Sequence, residues 1–242
     1  VPVLGCNCEV CKSNDPHDHR FRTSALIETA STRILIDCGP DFRMQMLAQP
    51  FRKIDAVLLT HIHYDHVGGI DDLRPFCRFG DINIYSNTDV VNGLKHNMPY
   101  CFPEKGDLYP GVPKLILHEI KPHVGFSIGD IEVMPITVMH DKLPILGYRI
   151  GKLAYITDMK NIEEKELEYL SGISVLVINA LRWKREHHSH QLVDDAISFA
   201  RKLGVKRVFL IHMTHEIGLH EKANLLLPSG IQFGFDGETI IV

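Results

Sequence analysis

The sequence of 242 residues lacks the features of a membrane-bound or secreted protein. It contains no apolar run of about eighteen residues, the length that a membrane-spanning helix requires. Its first residues have no basic stretch followed by an apolar one, so they do not predict a secretion signal. We therefore expect a cytoplasmic protein with no membrane partner.

An excess of positive charge is also missing. The chain has 26 lysine and arginine residues against 30 aspartate and glutamate residues, which gives a formal net charge of −4. Proteins dedicated to nucleic acids normally present a basic face, so nucleic acid is not expected as a partner. A small anionic substrate is compatible with this charge if basic residues are concentrated locally.

The sequence has no low-complexity linker and no internal repeat that would divide it. With 45% hydrophobic residues, a chain of this length can form one large core, so we expect a single domain over residues 1–242. The oligomeric state is not fixed by the sequence, and a homodimer is among the assemblies left open.

Short apolar runs typical of β-strands alternate with patches typical of helices. Strands are predicted at residues 24–29, 33–37, 54–60, 82–86, 114–120, 131–138, 145–150, 152–157, 173–179, 206–212, 231–235 and 238–242. The clearest helix is predicted over residues 190–203, where apolar residues recur at helical spacing before Gly204. Strands with short helices between them predict an α/β fold, a four-layer αββα sandwich.

A dense cluster of histidine and aspartate follows the apolar run 56–59. The chain contains 15 histidines, and three of them stand here beside an aspartate. Imidazole and carboxylate ligands without a nearby thiolate favour zinc, iron or manganese over a soft metal. The pair Gly68 and Gly69 would let the backbone turn close beneath these ligands. The candidate metal ligands are His61, His63, Asp65 and His66.

Three later strand-like runs each end at one polar residue, in turn His140, Asp158 and His212. We expect these residues to complete two metal sites that share Asp158 as a bridge. Two divalent ions about 3.5–4 Å apart can share a water molecule and lower its pKa, so this ligand set predicts a hydrolase with a metal-bound hydroxide as nucleophile. The other ligands divide into one set of His61, His63 and His140 and a second set of Asp65, His66 and His212.

The segment Thr60–His66, with the later histidine, aspartate and histidine, resembles the metallo-β-lactamase superfamily. The hallmark of that superfamily is T-H-x-H-x-D-H after a strand, followed by a separate His, Asp and His. The resemblance covers essentially the whole chain and implies the αββα sandwich with two divalent metal ions, zinc or manganese. Because Asp65 and the bridging Asp158 are both present, the phosphodiesterase branch is more similar than the true β-lactamases.

Both ends of the chain resemble the PhnP family, the phosphoribosyl cyclic phosphodiesterases of phosphonate breakdown. The stretches that carry this resemblance are the opening VPVLGCNCEVC and the closing LPSGIQFGFDG. The family implies a further first strand, which would lie upstream of Val1. It also implies hydrolysis of a small cyclic phosphodiester such as 5-phosphoribosyl 1,2-cyclic phosphate.

The PhnP resemblance also implies a structural zinc ion. Its expected ligands are Cys6, Cys8, Cys11 and His215. Three thiolates and one imidazole make a closed tetrahedral site that can tie a loose segment to its domain. Two alternatives stay open, namely free reduced cysteines and a different fourth ligand, His17, His19 or His220.

The family further uses a histidine at the start of a helix to assist phosphodiester cleavage. His190 is the expected residue here, placed to protonate the departing alkoxide, and His187 and His188 compete for this role. With Asp65, His190 completes the predicted catalytic residues. Several basic residues could also contact a phosphate, although a solvated charged face is the alternative; they are Arg74, Arg182, Lys184 and Arg185.

The sequence therefore predicts a metal-dependent phosphodiesterase acting on a small-molecule phosphodiester. A tRNA 3′-processing endonuclease, RNase Z, is the nearest alternative, but the chain has no long basic insertion to hold tRNA and its net charge is negative. A non-hydrolytic protein of cofactor biosynthesis, similar to the PqqB group, is the second alternative. The choice between zinc and manganese stays open, since histidine and aspartate bind either.

Overall fold

The computed structural model of the protein describes residues 1–102 and 111–242. The chain divides into two compact units, which we name by their position along the chain. The central unit is Arg22–Pro135, and the flanking unit is Val1–Phe21 together with Ile136–Val242. Each unit has its own hydrophobic core. The single domain expected from the sequence stays a prediction.

Among the described residues, the central unit contains a sheet in the order β1-β2-β3-β4-β5. Its first two strands pair antiparallel, and β2 to β5 are parallel. The strands of this sheet are β1 (Ala25–Glu28), β2 (Arg33–Ile36), β3 (Ala56–Leu58), β4 (Ile82–Ser86) and β5 (Leu115–Glu119). The central unit also contains β6 (Phe126–Ile128), which belongs to the second sheet. The helices are α1 (Phe42–Leu47), α2 (Tyr64–Val67) and α3 (Thr88–Asn97), with 3-10 helices at Ile70–Phe79 and Pro99–Cys101.

A second sheet has the order β12-β11-β10-β9-β8-β7-β6, and the boundary between the units falls within β7. Within the flanking unit, β9 to β12 are parallel and β8 pairs antiparallel with β9. The strands are β7 (Ile131–His140), β8 (Leu143–Ile150), β9 (Leu153–Ile156), β10 (Val175–Asn179), β11 (Arg207–Ile211) and β12 (Ile231–Phe233). The helices are α4 (Val193–Lys202) and α5 (His220–Asn224), with 3-10 helices at Pro16–Asp18, Glu164–Leu170 and His215–Ile217.

Four of the parallel strands are short, largely apolar runs without alternation. Every residue of β2, β3, β9 and β10 is buried. Strands covered on both faces read as continuous hydrophobic runs, which is why these stretches were recognisable in the sequence. Polar side chains can enter such a sheet only where a strand ends, so candidate ligands collect at the carboxyl ends of the strands.

Helix α4 begins later than the sequence predicted. It starts at Val193, because Leu192 is still extended with φ −85° and ψ 172°. The Asp195 carboxylate accepts a hydrogen bond from the Leu192 N–H and so closes the first turn at this point. His190 therefore lies in the loop before the helix, not in its first turn as the predicted range 190–203 implied.

One strand prediction was wrong, and one strand was missed. Residues 238–242 are rich in isoleucine and valine, yet they form no strand, and Ile241 and Val242 are exposed. A turn with Gly237 at φ 86° redirects the chain after β12. The sequence reading also missed β6, since three residues between Gly125 and Gly129 are too short to show a period.

Within the described residues, no helix combines the length and the apolar character needed to cross a membrane.

The first twenty-one residues are held in the flanking unit by buried polar contacts. The Arg20 guanidinium donates to the Gly234 carbonyl at 2.6 Å and to His220 Nδ1 at 2.6 Å. The Asp18 carboxylate accepts from the His220 N–H at 2.7 Å. Because arginine can only donate, Nδ1 of His220 must be an unprotonated acceptor in this arrangement. Burial, and then the charge of Arg20, lowers the pKa of His220.

We predict that acid weakens this contact. The folded protein favours neutral His220, so its stabilising effect is complete above the unfolded pKa and is lost as pH falls through the lower folded pKa. His220→Asn keeps an acceptor near Nδ1 but cannot titrate. Its melting temperature should therefore fall less than that of the wild type between about pH 7.5 and pH 5.5.

His19→Asn, at an exposed histidine of the same segment, is the matched control and should keep the wild-type pH dependence. An identical pH dependence in the wild type and in His220→Asn would contradict the assignment.

Candidate metal centre

The four candidate ligands of the central unit lie directly after β3. Nε2 of His61 and Nδ1 of His63 are 3.0 Å apart. Asp65 and His66 follow on α2, with Oδ2 and Nε2 3.4 Å apart. Two nitrogen or oxygen ligands of one tetrahedral ion lie about 3.3 Å from each other. Both pairs therefore have the spacing of ligands that share an ion.

Asp37, at the end of β2, fixes the orientation of this loop. Its fully buried carboxylate accepts from His66 Nδ1 at 2.7 Å, from the Thr60 N–H at 2.8 Å and from the Thr60 hydroxyl at 2.9 Å. With its proton on Nδ1, the His66 ring presents Nε2 as the metal-binding atom. A carboxylate behind a histidine ligand sets the ring tautomer and raises its basicity.

Glycine is required beneath the ligand loop. A Cβ on Gly69 would lie 2.1 Å from the Gly39 carbonyl oxygen, and a Cβ on Gly39 would lie 2.2 Å from the Asp65 carbonyl oxygen. The same backbones are hydrogen-bonded, since the Gly69 N–H donates to the Cys38 carbonyl and the Cys38 N–H to the His66 carbonyl. This close approach confirms the expected role of Gly69.

The flanking unit brings together a second group of candidate ligands. His140 ends β7, and its Nδ1 donates to the carbonyl oxygens of Asp158 and Ser189 at 2.8 and 3.0 Å, which leaves Nε2 for a metal. Asp158 Oδ1 lies 3.2 Å from Nε2 of His212, again the spacing of two ligands of one ion. Asp158 Oδ2 lies 3.1 Å from Nε2 of His190.

Three of these polar residues have left-handed backbone conformations. Asp37, Asp158 and His212 have φ of 58°, 55° and 54°, and each follows a parallel strand. Such a conformation costs a side-chain-bearing residue about 1 kcal/mol or more. Asn179 holds the turn at Asp158, since its amide exchanges two hydrogen bonds with the Met159 backbone. The strand ends therefore maintain strained turns that point ligands away from the sheet.

His190 is surrounded by other histidines. Its ring stacks on His212 with centroids 5.0 Å apart and meets His140 edge-on at 4.7 Å. Its Nδ1 lies 3.1 Å from both His187 Nδ1 and the Ser189 hydroxyl. Burial lowers the pKa of His190. Burial also lowers the pKa of His187, and the neighbouring His190 is the second cause of that shift. His188 stacks on His187, farther from Asp158, so His190 is the best placed of the three.

The cysteines of the N-terminal segment converge on His215. Its Nδ1 lies 3.5, 3.2 and 3.4 Å from the sulfur atoms of Cys6, Cys8 and Cys11. Tetrahedral zinc with thiolate and imidazole ligands places sulfur and nitrogen about 3.6 Å apart. The Cys11 N–H and the His215 ring lower the pKa of the Cys8 thiol to about 6, so its thiolate is available at neutral pH.

None of the rival fourth ligands joins the cysteine group in the described part of the chain. His17 contacts Asp15 at 2.7 Å and stacks on His220, which in turn accepts from Arg20. The geometry therefore selects His215 over His17, His19 and His220.

Three of the four basic residues named as phosphate contacts have protein partners. Arg182 and Arg185 both bind the carboxylate of Glu216, at 2.9 and 2.6 Å. Arg74 pairs with Asp71 at 2.7 Å. A role for these arginines in binding substrate stays a prediction, as does such a role for Lys184.

Sequence reasoning missed three residues that support the ligands. Asp37 and Asn179 could have been found, since each ends an apolar strand as Asp158 and His212 do. Ser189 could not, because it acts through its backbone carbonyl on His140, and no side-chain pattern reports that contact.

Comparison with protein families gives a match to the beta-lactamase superfamily domain over residues 32–213. This range contains all seven candidate ligands from His61 to His212. The chain is also similar to a crystal structure described as a new diphosphatase from the PhnP family. That similarity has 36% sequence identity and a TM-score of 0.91, and it covers 100% of this chain and 92% of that chain. These matches confirm the predicted metallo-β-lactamase fold.

Two curated relatives are longer than this chain. An octanoyltransferase of Porphyromonas gingivalis is 46% identical over 243 residues, which cover 100% of this chain and 49% of the relative. A ribonuclease Z of Methanopyrus kandleri is 29% identical over 139 residues, which cover 56% of this chain and 46% of the relative. The chain therefore spans about half the length of the first of these relatives.

We predict that Asp37→Asn weakens metal binding. An amide cannot supply the negative charge behind His66, and loss of such a partner lowers metal affinity by about 10–100-fold. Competition with a chromophoric chelator measures the effect. Asp41→Asn, which removes a carboxylate paired with Arg22 at 3.0 Å, should leave the affinity unchanged. An unchanged affinity in Asp37→Asn would refute this role.

We also predict that Cys8→Ser removes one zinc ion per chain and lowers the melting temperature, because the Cys₃His site ties residues 6–11 to His215. Metal analysis of the purified variant measures the loss. Cys77→Ser, outside the cluster, should retain the full metal content. Equal zinc content in both variants would argue for free cysteines.

Proposed function

Because the chain belongs to the PhnP family of the beta-lactamase superfamily, we propose that it is a metal-dependent phosphodiesterase that hydrolyses small cyclic phosphodiesters, such as a phosphoribosyl cyclic phosphate. The observation that carries this proposal is the contact between His190 Nε2 and Asp158. This contact supports the proposal, because a histidine that acts as proton donor would then stand beside the residue proposed as the bridging metal ligand.

The proposal assigns two divalent ions, zinc or manganese, to the seven ligands predicted from the sequence. They are His61, His63, Asp65, His66, His140, Asp158 and His212. Bound ions supply an acidified water molecule and neutralise the charge that develops on the phosphoryl oxygens. The donor set is suited to this task, since imidazole nitrogens and carboxylates bind both metals.

The protein residues orient the ligands and deliver the proton. Asp37 holds the Nδ1 proton of His66, and the Asp158 and Ser189 carbonyls hold that of His140, so both rings present Nε2. His190, with a proton on Nε2, gives that proton to the leaving oxygen as the ester bond breaks. Asp65 serves as a ligand and as an acceptor for a proton of the attacking water.

A second candidate is cleavage of a diphosphate bond, which the similarity to the PhnP-family diphosphatase favours. Both reactions transfer a phosphoryl group to water and differ in the leaving group. An alkoxide is strongly basic and needs a proton, whereas a phosphate leaves readily without one. The dependence on His190 therefore distinguishes the two reactions.

The other relatives suggest different activities. The octanoyltransferase matches this chain over half its own length, so its activity need not reside in the matched half. The ribonuclease Z supports cleavage of RNA, but the formal charge of −4 does not favour an extended nucleic-acid contact. Octanoyl transfer and tRNA cleavage are therefore included as arms of the test.

The test uses the purified protein loaded with zinc or manganese. Its substrates are phosphoribosyl 1,2-cyclic phosphate, an aryl phosphodiester, a nucleoside diphosphate, precursor tRNA and an octanoyl donor. We expect cyclic diester hydrolysis that is abolished by chelation and restored by metal. His190→Ala should reduce kcat by about 100-fold or more. His96→Ala, at an exposed histidine of α3, should leave it unchanged.

Turnover of the diphosphate alone, with little dependence on His190, would select the diphosphatase instead. Cleavage of tRNA or octanoyl transfer without diester hydrolysis would overturn the proposal. Metal-loaded protein that is inert on the whole panel would favour a non-hydrolytic role.

A further inference from the structure

The loop that carries His190 is closed at its base. This histidine loop, residues 181–191, connects β10 to α4. The Leu181 N–H donates to the Gln191 carbonyl at 3.0 Å, and the Val193 N–H donates to the Arg182 carbonyl at 3.1 Å. A compact loop with joined ends depends on its own side chains for its shape, since no strand or helix ladder passes through it.

Arg182 provides the internal contacts of this loop. Its Nε donates to the Arg185 carbonyl at 2.8 Å and its Nη2 to the Glu186 carbonyl at 3.4 Å. Its Nη1 binds the Glu216 carboxylate at 2.9 Å. The side chain is 11% exposed, so most of its surface is covered by neighbouring residues. One planar guanidinium thus joins two loop carbonyls to a carboxylate outside the loop, a geometry that lysine cannot reproduce.

Glu216 is itself fixed in place. It follows His215, the expected zinc ligand, and its N–H donates to the Thr214 hydroxyl at 3.3 Å. The Thr214 N–H donates to the Leu181 carbonyl at 2.9 Å, so the segment is also tied to the base of the loop. Arg185, which is 70% exposed, adds a peripheral contact at 2.6 Å. Glu216 is therefore a rigid anchor for Arg182.

We propose that Arg182 and Glu216 are positioning residues that hold the histidine loop so that His190 faces Asp158. Without this clamp, residues 185–190 keep their covalent ends but lose the contacts that fix the path of the chain before His187 and His190. The distance from His190 Nε2 to Asp158 would then vary. Proton delivery depends on such distances, since a displacement of about 1 Å can cost 100-fold in rate.

This inference rests on the proposed phosphodiesterase activity, and the leaving group provides its test. If Arg182 positions His190, the loss of kcat in an Arg182 variant should grow with the basicity of the leaving group. A poor leaving group needs the proton from His190, and a good one does not. Damage to the metal ligands or to the fold would instead slow all substrates alike. We therefore compare 4-nitrophenyl and phenyl phosphodiesters in the metal-loaded protein.

Arg182→Gln should lower kcat on the phenyl ester by about tenfold or more, with little change on the 4-nitrophenyl ester, little change in KM and full metal content. His190→Ala should show the same selectivity. Hydrogen exchange of residues 185–190 should be faster in Arg182→Gln than in the wild type. Arg201→Gln, at an exposed arginine of α4, is the matched control and should behave as the wild type.

Equal losses on both esters in Arg182→Gln, beside a selective loss in His190→Ala, would overturn the positioning role while leaving the proposed function intact. A wild-type protein that hydrolyses neither these esters nor the cyclic diester would instead contradict the proposed function, and unchanged hydrogen exchange of residues 185–190 in Arg182→Gln would overturn the clamp independently. If Arg182→Gln loses metal or fails to fold, Glu216→Gln takes its place. This variant keeps the bonds from Arg182 to the loop carbonyls and should show a smaller loss with the same selectivity, whereas an equal loss on both esters would overturn the proposal.

Discussion

Burial of the parallel strands on both faces determines where this protein can hold polar side chains. Strands such as β3 and β9 have no exposed residue, so a charged group within them would be desolvated without a partner. At the carboxyl ends of the strands the chain turns, and a polar side chain there finds hydrogen-bond partners even when it is buried, as Asp37 does with Thr60 and His66. Asp37, Asp158 and His212 all stand there, with left-handed backbones that direct them out of the sheet.

Orientation of the imidazole rings depends on hydrogen bonds behind them. His66 is held by a buried carboxylate and His140 by two backbone carbonyls. In both rings Nδ1 is hydrogen-bonded, which leaves Nε2 as the metal-binding atom. Bonds of this kind fix the tautomer before any metal binds, so the ligands do not have to reorganise. The folded chain thus bears the cost of placing these ligands, including the strained turns that precede them.

The flanking unit also joins distant parts of the sequence at His215 and its neighbours. His215 contacts the three clustered cysteines, and Glu216 beside it contacts Arg182 in the histidine loop. Two adjacent residues thus contact separate parts of the chain, the N-terminal cysteine segment and the loop that bears His190.

The sequence by itself determined the layered α/β class and most of the strands and pointed to the candidate ligand residues, because buried strands read as apolar runs and each candidate ligand ends or follows one. It could not determine the start of α4 or the absence of a strand at 238–242, since local propensity does not report a side-chain cap or a missing sheet neighbour. Tertiary structure alone decided that Arg182 binds Glu216 and that Ser189 supports His140. These contacts join residues that have no periodic relation in the chain, and only folding brings their atoms within hydrogen-bonding distance.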